Sequence, residues 1–583
     1  MRVLILSHAF NSLTQRLWAE LARDGHDLTL ELDVNDRVTE EAVALARPEL
    51  IVAPFLKRAI PESVWRRQRC LVVHPGIEGD RGPSALDWAV QQGEREWGVT
   101  VLEANGEMDA GDIWATRTFP MRDASKGSLY RNEVTEAAVA AVREAIERIG
   151  RGEKPRPQDD TRPGVRGRRR PAMQQADRAL DWSRDDTATI LRKVRAADGT
   201  PGVRDDVLDI ACRLFDAHAE EPLVARFAGD VPGAVVATRD GAILRRTIDG
   251  AVWITHLQRV DADPRTTLKL PAVQVLGERL AGIPDLPLAA DAEVDGATWR
   301  PLRYQERGHV GVLHFAFCNG AMSTVQCLAL RDAVAAARRR PIRVLVLAGG
   351  PDFWSNGIHL NVIEASAHPA EESWRNIEAM NDLVLEILTA DRQLTVAAMQ
   401  GNAGAGGCYL ALAADRVYAR RGIVLNPHYK SMGNLYGSEY WTYLLPRRVG
   451  PGEALGIVER RLPLVAADAV AAGLVDEAFG GTPASFLAEA VARAEALAEA
   501  PDFGAALAAK RERRAADEAV QPLSRYREEE LARMKLNFYG FDPSYHVARY
   551  HFVHKLPKAR TPSFLARHRL PRRNTGAIRA AIA

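Results

Sequence analysis

Val72-Val-His74-Pro-Gly76 is the stretch that decides the first half of the chain. Its valines close a short apolar run, Leu71–Val73, that reads as a buried strand, and the histidine falls where that strand ends. Val3–Leu6, Leu28–Leu32 and Leu50–Ala53 are runs of the same kind, separated by helical stretches, so residues 1–150 predict an α/β unit on a parallel, Rossmann-type sheet. Open sheets of this sort place ligands beyond the carboxyl ends of their strands, which is the position of His74. Further on, Val99-Thr-Val-Leu102 reads as another strand, followed by Gly106-Glu-Met-Asp109-Ala-Gly-Asp112, an acidic turn able to bring a carboxylate to the imidazole. A His–Asp pair suits proton transfer, because the carboxylate orients the ring and stabilises its charged form near neutral pH. Each residue alone has an ordinary structural use, in packing or in the turn; the pairing is what points to chemistry.

The rest of the chain bounds the reading. At 583 residues, with 46% hydrophobic and 26% charged residues and Lys+Arg 77 against Asp+Glu 76, it predicts several globular domains and excludes both disorder and a uniformly basic nucleic-acid binder. Cys70, Cys212, Cys318, Cys327 and Cys408 form no CxxC pair, which suits a reducing compartment and argues against a structural metal site. Arg2-Val-Leu-Ile-Leu6 passes at once into polar residues, and no run of about 18 apolar residues occurs, so a cytoplasmic protein without a membrane partner is expected. Residues 151–171 are basic and rich in Pro and Gly and read as a solvated linker. Residues 172–300 predict a small β-rich domain, 305–500 a second α/β domain, and 501–583 a helical C-terminal extension and tail. Ser7–Arg16 lies between the first strand and its helix, with Ser12 or Thr14 as N-cap, and marks Gln15 and Arg16 as candidate ligands for a phosphate or carboxylate.

Two amide-rich turns stand out in the second half. Gly349-Gly-Pro-Asp-Phe-Trp-Ser-Asn-Gly-Ile-His-Leu360 follows one strand, and Gln400-Gly-Asn-Ala-Gly-Ala-Gly-Gly-Cys-Tyr-Leu-Ala411 follows another and opens a helix. If they meet at one pocket, they aim backbone N–H groups at a developing oxyanion. The segment Asn426–Arg448 is dense in aromatic residues and holds one carboxylate, Glu439. There Tyr429 and Glu439 are candidates for proton transfer, while Trp441 and Tyr443 suit packing and the exclusion of water.

The first half resembles the folate-dependent formyltransferases over about 1–280, on the His74 loop with Arg81-Gly82-Pro83, the Met108-Asp-Ala-Gly-Asp112 turn, and Leu180-Asp-Trp182 with Pro201-Gly202 of a small barrel-like domain. The resemblance implies 10-formyltetrahydrofolate as donor, His74 and Asp109 as catalytic residues, and a pterin loop at Phe55, Leu56, Arg58 and Ile60 that acts largely through backbone groups. Val72 stands where that family has its catalytic Asn. The second half resembles the crotonase (enoyl-CoA hydratase/isomerase) family over about 305–500, which implies a CoA thioester and oxyanion-hole amides at Ile358 and Gly406. Tyr409 and His428 occupy the two hydratase Glu positions, so ordinary enoyl hydration is not expected.

Over nearly all of 1–560 the combination resembles a family of hydrogenase maturation factors. That resemblance implies formyl transfer from 10-formyltetrahydrofolate to coenzyme A, then decarbonylation of formyl-CoA to carbon monoxide for the iron of a [NiFe]-hydrogenase. Tetrahydrofolate, CoA and hydrogenase maturation proteins are the expected partners. A formyltransferase that hydrolyses formyl-CoA to formate, and a non-catalytic folate- or CoA-binding scaffold, are the alternatives.

Overall fold

A computed structural model describes residues 1–260 and 267–570. The first sheet contains β1 (Arg2–Ser7), β2 (Asp27–Leu32), β3 (Leu50–Phe55), β4 (Cys70–His74), β5 (Glu96–Glu103) and β6 (Ile113–Pro120), in the order β2-β1-β3-β4-β5-β6. The first four strands are parallel, as their apolar runs predict, and β5 and β6 continue the sheet antiparallel. The short connection from β5 to β6 cannot make a parallel crossover. The helix after β1, Ser12–Arg23, is capped by Asn11, whose side chain accepts from the Thr14 N–H; the cap is neither Ser12 nor Thr14.

Residues 151–171 are not a free solvated linker. Arg156 and Arg162 pair with Glu78, the Arg170 N–H donates to the Arg81 carbonyl at 2.8 Å, and the Arg170 guanidinium is buried. The basic run is matched by acidic groups on the His74 loop, so it folds down onto that loop.

The small domain contains β7 (Val203–Val207), β8 (Ile210–Glu220), β9 (Val235–Arg239), β10 (Ala242–Arg246), β11 (Ala251–Arg259) and β12 (Lys269–Pro271). They form an antiparallel sheet in the order β7-β8-β11-β10-β9 with β12 on β11; among the described residues it does not close into a barrel. Ile190, Leu191 and Val194 of the helix Thr187–Ala197 pack on Leu214, Val252 and Ile254.

The third unit is built on β13 (Leu302–Arg307), β14 (Val310–Phe315), β15 (Val344–Ala348), β16 (Phe353–Ser355), β17 (Leu394–Met399), β18 (Asn402–Gly404), β19 (Arg416–Arg420), β20 (Val424–Asn426), β21 (Leu464–Val465) and β22 (Glu477–Phe479). One sheet runs β13-β14-β15-β17-β19-β22, and a smaller one β16-β18-β20-β21. β16 and β18 are short steps just past the carboxyl ends of β15 and β17, so both amide-rich turns are carried on the small sheet.

The helices Phe503–Val520, Leu523–Tyr539 and Ser544–Val553 complete the extension. The chain then returns to the first sheet, where the Leu565 carbonyl accepts from the Leu30 N–H at 3.0 Å and buried Glu31 pairs with His568 and Arg569. Residues 571–583 of the expected tail lie outside the described residues. No helix among the described residues is long and apolar enough to cross a membrane.

Candidate active sites

His74 ends β4, and its buried ring lies between two carboxylates. Nδ1 is 3.5 Å from Asp109 Oδ2, and Nε2 is 3.2 Å from Asp80 Oδ1. Asp109 has the left-handed backbone its Gly-rich turn requires (φ 55°), and its carboxylate accepts from the Gly82 N–H at 3.1 Å. Asp80, which pattern reading passed over, is fully buried and accepts from Arg170 Nε at 2.9 Å. An Arg–Asp–His chain of this kind holds the ring at one nitrogen and leaves the other to exchange a proton. Val72 packs against the apolar cluster of Leu4, Ile51 and Ala53.

The pterin-loop residues divide. Phe55 lies edge-on to His8 and Tyr130, lining the same end of the sheet. Leu56 and Ile60 pack into the core, and Arg58 turns to Asp36 at 2.5 Å and to the Val34 carbonyl, so the side chains of these three are engaged within the protein. Gln15 and Arg16 do not form an open anion site. Buried Arg16 is held by Glu20, Glu136 and the Gly422 carbonyl, while Gln15 Oε1 accepts from Asn426 Nδ2 at 2.9 Å. That first helical turn is covered by the third unit, whose groups take the place of a ligand.

The two amide-rich turns do meet. Trp354 Nε1 donates to the Gly407 carbonyl at 2.9 Å. Gly406 opens the helix Gly406–Leu412, so its N–H has no partner within the helix. Beside Ile358, the Met322 N–H goes to the Gly357 carbonyl and the His359 N–H to Asn376, so neither of these bonds uses the Ile358 N–H.

Buried Glu439 lies against the second of these turns. A Cβ on Gly406 would lie 2.5 Å from Glu439 Oε1, so the carboxyl rests on the glycine that carries the second amide. Tyr429 donates to Glu439 Oε2, and the Ser438 N–H donates to the same oxygen at 3.2 Å. Gly437 (φ 96°) is needed because any Cβ there would strike the Tyr429 ring at 2.2 Å. Burial pushes Glu439 up to about 7 against the pull of these hydrogen bonds, and pushes Tyr429 well above the usual phenol range. Tyr409 stacks on Tyr429 at 5.5 Å and donates to the Pro427 carbonyl at 2.7 Å; His428 is buried and pushed down to about 4 by that burial and by Arg461. Neither supplies a carboxylate, as the sequence predicts.

Asp216, His256 and Cys318 also bring ligand atoms within 4.8 Å of one another. The Lys269 ammonium shares their field, a charge that any divalent cation there would have to overcome.

The fold and pockets define a formyl transferase unit joined to an enoyl-CoA hydratase/isomerase unit. Family models for formyl transferase match residues 28–146, for the formyl transferase C-terminal domain 172–267, and for enoyl-CoA hydratase/isomerase 319–538. The hydrogenase maturation factor HoxX of Bradyrhizobium diazoefficiens is 55% identical over 98% of both chains. A crystal structure of HypX from Aquifex aeolicus in complex with tetrahydrofolic acid superposes with a TM-score of 0.94 at 49% identity, over 98% of this chain and 100% of that one. Methionyl-tRNA formyltransferase of Desulfotalea psychrophila is 32% identical over 35% of this chain and 62% of its own. The chain belongs to the HypX/HoxX family of hydrogenase maturation factors.

Proposed function

We propose that this cytoplasmic enzyme makes carbon monoxide from 10-formyltetrahydrofolate by way of formyl-CoA, supplying the CO ligand of a [NiFe]-hydrogenase iron through other maturation proteins. The observation that carries the reading is the Glu439 carboxyl set against Gly406 and bonded to Tyr429, both side chains buried. Its support at the other end is His74 between Asp80 and Asp109, and the relative with tetrahydrofolic acid bound.

At the first site His74, oriented by Asp80, takes the proton of the CoA thiol with Asp109 beside it. Sulfur attacks the formyl carbon, the bond from carbon to the folate nitrogen breaks, and that nitrogen recovers a proton. Lys269 and Lys555 repel each other and Arg131 lies in the field of Lys269; clustered cations of this kind suit the phosphates of CoA. At the second site the Ile358 and Gly406 amides polarise the thioester carbonyl, which acidifies the formyl hydrogen. Glu439 takes that proton, the C–S bond breaks to give CO, and the thiolate takes a proton from Tyr429. Glu439 then reprotonates Tyr429 through their hydrogen bond, so the step nets to CO and the CoA thiol. Trp441, Tyr436 and Tyr409 wall the pocket and keep out the water that would divert the thioester to formate.

Formyl-CoA supplied directly tests the second site. The wild type should release CO, trapped by haemoglobin, and Glu439→Gln should release it at least about 100-fold more slowly. Formate in place of CO from the wild type would refute the decarbonylation step.

A further inference from the structure

Glu439 and Tyr440 are successive residues in the left-handed region, with φ of 61° and 58°. Non-glycine side chains resist that conformation, and two in a row persist only where the surroundings impose them. The imposing groups come from two helices outside the aromatic segment. Asn381 lies in the middle of the helix Pro369–Leu388, fully buried beside Met380 and Leu383, where an apolar residue would be expected. Its Oδ1 accepts from the Glu439 N–H at 2.8 Å and from Ser438 Oγ at 2.9 Å, while its Nδ2 has no partner, so the amide is used for its oxygen. Glu530 is the third of three consecutive glutamates on the helix Leu523–Tyr539 and is fully buried. It accepts from the Tyr440 N–H at 2.9 Å, the Thr442 N–H at 2.8 Å and Thr442 Oγ1 at 2.6 Å. These donors open the helix Trp441–Val449, which has no side-chain cap of its own, so Glu530 caps it from another helix.

We propose that Asn381 and Glu530 are positioning residues that pin the Glu439–Tyr440 backbone from two sides and thereby hold the Glu439 carboxyl on Gly406. The proposal deepens the decarbonylase reading and rests on it. Without the two acceptors the backbone is free to leave the left-handed region, and the carboxyl swings off the glycine toward water. Tyr429, Tyr409, Cys327 and Glu530 are the titratable groups whose fields meet that of Glu439; Arg527, engaged by Asp382, is the cation beside Tyr440.

The test is CO release from formyl-CoA by the full-length wild type, Asn381→Leu, Glu530→Ala and Glu530→Gln. The first two substitutions should lower kcat about 100-fold with KM changed less than about twofold. They should also move the acid limb of kcat below the wild-type midpoint, because a carboxyl released to water titrates lower. Glu530→Gln, which keeps an acceptor oxygen, should restore most of the rate, and tetrahydrofolate formation at the first site should persist in all. Unchanged kcat, an unmoved acid limb, or Glu530→Gln no better than Glu530→Ala would overturn the positioning role. No CO from the wild type would instead bring down the decarbonylase reading, and this proposal with it.

Discussion

Gln15, in the first turn of the helix after β1, and Asn426, on β20, are 411 residues apart in sequence and hydrogen-bonded at 2.9 Å. The Asn426 carbonyl accepts from the Ala405 N–H at 2.9 Å, so the bond ties the formyl-transfer unit to the loop that presents Gly406. A second tie runs from Arg131 and Asn132 to Asp352 in the other amide-rich turn, each at 3.0 Å. Both amide-rich turns are therefore anchored on the domain that holds His74.

Gln15→Ala removes two side-chain hydrogen bonds, the one from Asn426 and the one to the Phe10 carbonyl, a loss of about 2 kcal/mol, too little to unfold either unit. Formyl transfer should continue, but the ratio of CO to tetrahydrofolate should fall below that of the wild type, with formyl-CoA or formate escaping to the medium. A wild-type ratio would show that the tie plays no part in passing the thioester on.

Glu439→Gln should lower CO release by about 10²–10⁴-fold, the usual worth of a positioned base. Tetrahydrofolate production from the donor should survive. If both products vanish together, the two half-reactions do not belong to separate sites.

Asp80→Ala leaves buried Arg170 without its carboxylate, and breaking a buried pair from one side costs about 3–5 kcal/mol. The first unfolding transition should fall and formyl transfer should be lost, whereas CO release from added formyl-CoA should remain. Wild-type formyl transfer by a folded Asp80→Ala protein would remove Asp80 from the mechanism.

Histidine, tyrosine and glutamate positions were legible to different depths. His74 at a strand end, the two glycine-rich turns and Tyr429 with Glu439 could be read because each is local: a strand, a turn or a run of unusual composition marks it. Asp80, Arg170, Asn381 and Glu530 carry no such mark. A third glutamate in a helical run and an asparagine mid-helix look like surface residues until the tertiary fold turns them inward. Gln15 and Arg16 differ in the opposite sense, since the helix N-terminus is real but their side chains are bonded to groups of another unit, Asn426 and the Gly422 carbonyl. The direction of β5 and β6 was equally hidden, because a buried strand has the same pattern whichever way it runs.

Burial pushes His256 down to about 3 and His314, His359 and His428 down to about 4, while it pushes Glu439 up to about 7 and Glu530 to about 8. Between about pH 6.5 and 4.5 the unfolded chain gains four protons at the histidines that the folded state refuses, and lacks two at the glutamates that the folded state keeps. The net of about two protons makes stability fall as pH drops through that window, by about 2.7 kcal/mol per pH unit. Above about pH 6.5 only the glutamates act, and their stabilisation is lost as pH rises through 7 and 8. The thermal midpoint should therefore peak near neutrality; a steady rise from pH 5 to 8 would contradict these burial effects. CO release needs ionised Glu439 and should climb with pH through about 7.

The central claim is that one polypeptide carries the formyl carbon from folate, through a CoA thioester, to carbon monoxide. Purified protein given 10-formyltetrahydrofolate labelled with ¹³C in the formyl group, CoA and haemoglobin should form ¹³CO-haemoglobin in equal amount to tetrahydrofolate, and only when CoA is present. Label recovered as formate, or CO formed equally well without CoA, would contradict it.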